Sequence, residues 1–201
     1  MNIEYTIKIH SYWHCGSGLA AGANVDALVV KDKNGMPYIP GKTIKGLIRE
    51  AVENYLMFTS ADNEEAEEVN NKMAEKVKTA FGVPVSDDDE HKYKTKGNAF
   101  FTNAELESNL RSDIIRAGLQ QYLFTNISST AIDDKGIAVD NSLRRIEVTV
   151  PCELEGKIID LDDSLSDIVS KSFGFIKRLG VSRNRGLGRC TVSVKRKEGT
   201  K

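Results

Sequence analysis

Pro37-Tyr38-Ile39-Pro40-Gly41-Lys42-Thr43-Ile44-Lys45-Gly46-Leu47-Ile48-Arg49 reads as a rigid turn running into a helix. Pro40 and Gly41 place the chain tightly at the start, and proline suits a first helical turn because its missing N–H has no partner there. From Ile44 onward the apolar residues Ile44, Leu47, Ile48, Ala51, Val52 and Tyr55 recur at helical spacing. Lys42, Lys45 and Arg49 fall at i, i+3 and i+7 and stack on the opposite face. One side is built for a core and the other for anions. The unpaired N–H groups of a helix start add partial positive charge at the same end. The stretch therefore points to phosphate, in a nucleotide or a nucleic acid.

The totals narrow the choice. At 201 residues, 40% of them hydrophobic, the chain is one domain, or one domain with a large insertion. Its 28 lysines and arginines are offset by 29 acids, so a nucleic-acid site has to be a local basic patch. Cys15, Cys152 and Cys190 are widely spaced with no CxxC pair, which argues for reduced thiols and against a structural zinc. No apolar run reaches membrane length and the N-terminus lacks a signal-peptide core, so the expected setting is cytoplasmic.

Working outward from the helix, Ile3, Tyr5, Ile7 and Ile9 alternate as a half-buried first strand. Tyr12 to Gly22 is glycine-rich and reads as a loop, Val25 to Val30 as a short extended piece, and Lys33-Asn34-Gly35 as a turn. Asn63 to Phe81 has helical spacing with acids early and lysines late, matching the helix dipole. The run Asp87-Asp88-Asp89-Glu90 lacks calcium-loop spacing and reads as a solvated polar loop. Further on come a strand over Asn98–Leu106, a helix over Ser112–Phe124, and extended arms around the turn Ile132-Asp133-Asp134-Lys135-Gly136. Arg144 to Val150 alternates, and extended chain continues to Ile159. Leu165, Ile168, Val169, Ile176 and Leu179 then mark a helix ending at Gly180, before a last strand over Cys190–Val194. Without insertions (roughly 58–98 and 107–142) the order is strand, helix, strand, strand, helix, strand. That is an α+β, ferredoxin-like (RRM-like) βαββαβ core in a single domain spanning 1–201.

Two nucleotide motifs fail on spacing. Gly41-Lys42-Thr43 resembles the end of a P-loop, but Gly35 stands one residue too far away and the span holds two prolines. Gly180, Gly186 and Gly188 follow a helix and precede a strand, the reverse of the dinucleotide pattern. Arg183, Arg185 and Arg189 interleave with those glycines, and this combination fits a phosphodiester: glycine lets the backbone approach while arginine binds phosphate in a bidentate manner. Asp26 sits in an otherwise apolar piece just after the first glycine loop. His14 stands beside Trp13, where packing or a local hydrogen bond is its ordinary role.

Taken in order, these features resemble the RAMP superfamily, and specifically the repeated backbone subunit of type III (Csm/Cmr-type) CRISPR effector complexes. His14-Cys15-Gly16-Ser17-Gly18 resembles the family's early H-x-G-x-G loop, and Pro37 to Gly46 its P-Y-I-P-G-S-S-L-K-G signature, with Lys42 in place of the first serine. Phe81-Gly82 and Asn103-Ala104-Glu105-Leu106 resemble later landmarks. Ile132 to Gly136, with Leu143-Arg144 and Glu147, is similar to a projecting thumb hairpin and its return strand. Gly186-Leu187-Gly188-Arg189 resembles the C-terminal glycine-rich loop.

The resemblance implies a subunit that stacks with its own copies and other effector subunits along a guide RNA and holds complementary target RNA, with no membrane partner. His14, Gly16, Gly18, Gly41, Lys42, Thr43, Lys45, Arg49, Arg183, Arg185, Gly186, Gly188 and Arg189 are then the expected RNA-binding residues. Asp26 stands where the family carries the aspartate implicated in cutting target RNA, and it would hold a weakly bound Mg²⁺ or Mn²⁺ or orient the attack. Alternatives within the resemblance are a non-catalytic RNA-binding subunit and a guide-processing ribonuclease.

Overall fold

The computed structural model of the chain describes residues 1–22, 24–60, 64–83 and 96–195. β1 (Ile3–Ile9) alternates as its sequence requires, burying Ile3, Tyr5, Ile7 and Ile9. α1 (Gly41–Ser60) turns Ile44, Ile48, Ala51, Val52 and Leu56 inward, each large aliphatic side chain among them contributing about 1.5–3 kcal/mol by burial. α2 (Glu64–Phe81) packs beside it. The chain continues through β2 (Phe100–Phe101), α3 (Ser108–Arg116), β3 (Phe124–Ser129), β4 (Arg144–Thr149), β5 (Glu153–Ile159), α4 (Ser166–Ser172) and β6 (Cys190–Val194).

The larger sheet has the order β2-β5-β1-β6 and is antiparallel throughout. Tyr5 pairs with Gly156 on one side and Val194 on the other. A Cβ on Gly156 would stand 2.3 Å from the Tyr5 hydroxyl oxygen, so the missing side chain makes room for the ring. One face of the sheet and the inner faces of α1, α2 and α4 share a single core. β3 and β4 form a separate antiparallel hairpin, Phe124 opposite Thr149 and Ser129 opposite Arg144. The architecture is therefore mixed α+β with antiparallel sheets.

Several elements depart from local expectation for identifiable reasons. Within Asn98–Leu106 only Phe100 and Phe101 pair as a strand, because the chain then swings to hydrogen-bond Ile39 through Ala104. The helix expected over Ser112–Phe124 begins at Ser108, where the Glu107 carboxylate caps the N–H groups of Asn109 and Leu110. It ends by Gly118 at φ +66°, and Phe124 already belongs to β3. The helix expected to reach Gly180 stops at Ser172. A short 3₁₀ turn over Phe173–Phe175 follows, and Arg178 then bridges to Arg189 in extended chain. The carboxylate run Asp87–Glu90 lies outside the described residues.

Among the described residues no helix is long and apolar enough to cross a membrane. The three cysteines are unpaired, and burial pushes the thiols of Cys152 and Cys190 up to about 11.

Candidate nucleic-acid interface

The first glycine-rich segment is an irregular hairpin rather than a loop. The Ser17 N–H donates to the Leu28 carbonyl at 2.9 Å, Leu28 N–H to Leu19 at 2.9 Å, and Val30 N–H to Cys15 at 2.8 Å. Its second arm continues onto β4, where Asp26 N–H donates to Arg145 at 2.8 Å and Glu147 N–H to Ala27 at 3.0 Å. Glycines break the alternation that would have announced these strands. Gly16 and Gly18 are exposed, and Gly18 takes φ +79°, a conformation glycine adopts at no steric cost.

Asp26 is exposed on this arm, with Oδ2 accepting the Arg145 N–H at 2.6 Å. Nearby Glu147 is fully engaged. Its Oε2 accepts the Val29 N–H at 3.1 Å and its Oε1 pairs with Lys31 at 2.7 Å. Lys31 in turn sits 3.9 Å from the centre of the Phe124 ring. Among the described residues no three His, Cys, Asp or Glu side chains gather as a metal site. Asp26 therefore stands as a single carboxylate, with no cluster of ligands around it among the described residues.

His14 is 2% exposed and serves as a brace. Its Nδ1 lies 2.6 Å from the Glu147 carbonyl oxygen, and its own carbonyl accepts the Val181 N–H at 2.9 Å. The ring is thus buried and held by the Glu147 backbone. The braced partner is the C-terminal glycine segment. Gly188 N–H donates to the Tyr12 carbonyl at 2.7 Å, Arg189 N–H to Ser11 Oγ at 3.0 Å, and His10 N–H to the Arg189 carbonyl at 2.7 Å. The two glycine segments, at opposite ends of the sequence, are thereby zipped together.

Above that seam Arg183, Arg185 and Arg189 are exposed. Arg183–Arg185 forms a 3₁₀ turn between Ser182 at φ 58° and Gly186 at φ 90°. Arg178 supports it by donating from Nη1 to the Arg183 carbonyl at 3.1 Å. Gly186 faces open space, whereas Gly188 is buried.

The start of α1 meets the first glycine hairpin at Cys15. Burial raises the Cys15 thiol, while a hydrogen bond from Thr43 and the charge of Lys42 pull it down. Lys42 is exposed, Thr43 half-buried and Lys45 half-buried. Burial first and the Arg49 charge second lower the Lys45 ammonium. Gly41 has a packing task. Its N–H is taken by Asn103 Oδ1 at 2.9 Å, and a Cβ there would stand 2.1 Å from the Phe101 carbonyl oxygen. It is the glycine that lets α1 touch β2, and its amide is taken by the Asn103 side chain.

Arg49 is engaged within the fold. Its guanidinium donates to the Gly82 carbonyl at 3.0 Å and to that of Phe81, closing the C-terminus of α2. Truncation to Arg49→Met should lower stability by about 1–3 kcal/mol in urea unfolding, the range for a lost charged hydrogen bond. Unchanged stability would return Arg49 to the solvent-facing cations. The positions that local spacing missed, Ser11, Tyr12, Arg145 and Arg178, act mainly through backbone groups or from within a stretch that reads as helix surface.

A model of the RAMP superfamily matches residues 6–191. Among solved structures, a chain of "Cryo-EM structure of the Type III-B Cmr-beta bound to cognate target RNA" has TM-score 0.64 at 11% identity, covering 96% of this chain and 97% of that one. A chain of "Type III-B Cmr-beta Cryo-EM structure of the Apo state" has TM-score 0.62 at 12% identity, with 96% and 97% covered. No curated protein sequence matches significantly. At these identities the solved structures show a shared fold. The family match spans both glycine segments and the Pro40–Gly41 helix start, and on that ground the chain belongs to the RAMP superfamily.

Proposed function

We propose that this protein is a guide-RNA-binding backbone subunit of a type III CRISPR effector complex that also cleaves complementary target RNA. The observation that carries the reading is the seam of two glycine segments crowned by Arg183, Arg185 and Arg189 and flanked by Lys42 and Thr43. Cations on a seam with a close backbone approach hold a phosphodiester chain without reading its sequence, and pairing to a guide supplies specificity. The similar solved structures are of a Type III-B Cmr-beta, one of them bound to cognate target RNA. On this reading the sheet order β2-β5-β1-β6 is a ferredoxin-like core, and the β3–β4 hairpin with its tip at Asp133–Gly136 is the thumb. Stacked copies and other effector subunits are its partners.

RNA carries its own nucleophile. The 2′-oxygen attacks the adjacent phosphorus and gives its proton to solvent, the 5′-oxygen leaves and takes a proton from solvent, and a 2′,3′-cyclic phosphate and a 5′-hydroxyl result. Asp26, held to the Arg145 backbone, is the group we assign to orienting that 2′-hydroxyl. A divalent ion such as Mg²⁺ or Mn²⁺ would come with the RNA and neutralise phosphate charge, since the described residues gather no cluster of ligands for it.

Binding is tested with the triple variant Arg183→Gln, Arg185→Gln, Arg189→Gln. The slope of log K against log salt for single-stranded RNA should flatten by about 2, at roughly 0.7 per lost phosphate contact. A slope equal to that of the unsubstituted protein removes the seam from the interface. Incubating the assembled complex with complementary RNA and Mg²⁺, against an EDTA control, separates the cleaving subunit from a purely structural one.

A further inference from the structure

The far end of α1 presents aromatic rings to solvent. Phe175, in the turn after α4, stacks on Phe58 with ring centroids 5.8 Å apart and planes 24° apart, and takes the edge of Tyr55 at 6.0 Å. Phe58 is 64% exposed and Phe175 41%. Beside them lies a cavity of about 310 Å³ whose lining includes Phe175, Asn54, Lys177, Arg178, Arg183 and Asn184. It has an aromatic wall, two side-chain amides and three cations. Glu50 lines it as well, and a carboxylate can accept a hydrogen bond from an exocyclic amine. Arg183 belongs both to this cavity and to the arginine-glycine turn, so the two surfaces are continuous.

Each part suits one feature of a nucleotide. Aromatic faces stack any base, amides bond base edges, and cations hold phosphate. A protein partner covering the same rings would have to strip water from three cations, which is costly without carboxylates to meet them.

We propose that this cavity is a subsite for one unstacked nucleotide of single-stranded RNA, its base against the Phe175 ring that Phe58 backs and its phosphate on Arg178 and Arg183. The inference rests on the RNA-binding reading above, and the test keeps the two apart. The full chain is titrated with a labelled oligoadenylate and with an abasic strand of equal length, using the unsubstituted protein, Phe58→Ala, Phe58→Trp and the triple arginine variant. Phe58→Ala should weaken oligoadenylate binding about tenfold, the scale of one lost stacking contact, and leave abasic binding unchanged. Phe58→Trp should restore it.

If Phe58→Ala binds both strands like the unsubstituted protein while the arginine variant does not, the subsite is overturned and the RNA reading stands. If the unsubstituted protein binds neither strand, both fall. If Phe58→Ala leaves RNA affinity intact but lowers the mass seen by light scattering, the rings are a contact between copies and the subsite is likewise overturned.

Discussion

Asp26→Ala should reduce cleavage of complementary RNA by the assembled complex about 100-fold, the scale of a nucleophile left without its orienting group, and leave RNA affinity unchanged. The reasoning runs through Arg145. Asp26 Oδ2 accepts the Arg145 N–H at 2.6 Å, so alanine removes both a charge and an anchor between the hairpin arm and β4. Asp26→Asn separates these effects, because the amide oxygen can still accept that N–H while the charge is gone. Both variants should bind RNA and both should cut about 100-fold more slowly. If Asp26→Asn cuts at the original rate, the carboxylate has no part in the chemistry. If Asp26→Ala loses binding as well and Asp26→Asn does not, the residue matters as an anchor.

Gly188→Ala should be the most damaging single methyl group in the interface. Gly188 has φ +67°, which costs an L-residue about 1–2 kcal/mol, and the added Cβ would stand 1.8 Å from the Leu179 carbonyl oxygen. Leu179 cannot yield easily, since its N–H donates to the Gly188 carbonyl at 2.9 Å while Gly188 N–H is held by Tyr12. Overpacking adds about 1–3 kcal/mol, so a total near 2–5 kcal/mol is expected in urea unfolding. Gly186→Ala is the matched control. Its φ of +90° carries the conformational penalty, but nothing lies within 4 Å of the new Cβ. It should lose only about 1–2 kcal/mol. Equal losses at the two positions would mean that the seam between the glycine segments is looser than the hydrogen bonds indicate.

The sequence by itself determined what local periodicity can carry. The alternation of Ile3 to Ile9, the apolar stripe of α1 and the strand over Cys190–Val194 each follow from side-chain spacing. The ordered motifs pointed to the superfamily whose model matches residues 6–191. Spacing also placed Lys42, Lys45 and Arg49 on one helix face, but a face is only a direction. Whether a cation on it meets water, a phosphate or another helix depends on what packs there. Arg49 met the exposed carbonyls at the end of α2, and Gly41 met β2. His14 became a brace because the Glu147 carbonyl and Val181 N–H arrive from distant parts of the chain. The joining of the two glycine segments was equally invisible in either one. Those contacts run between backbone N–H and carbonyl groups, which every residue carries alike, so only the tertiary fold could select the partners.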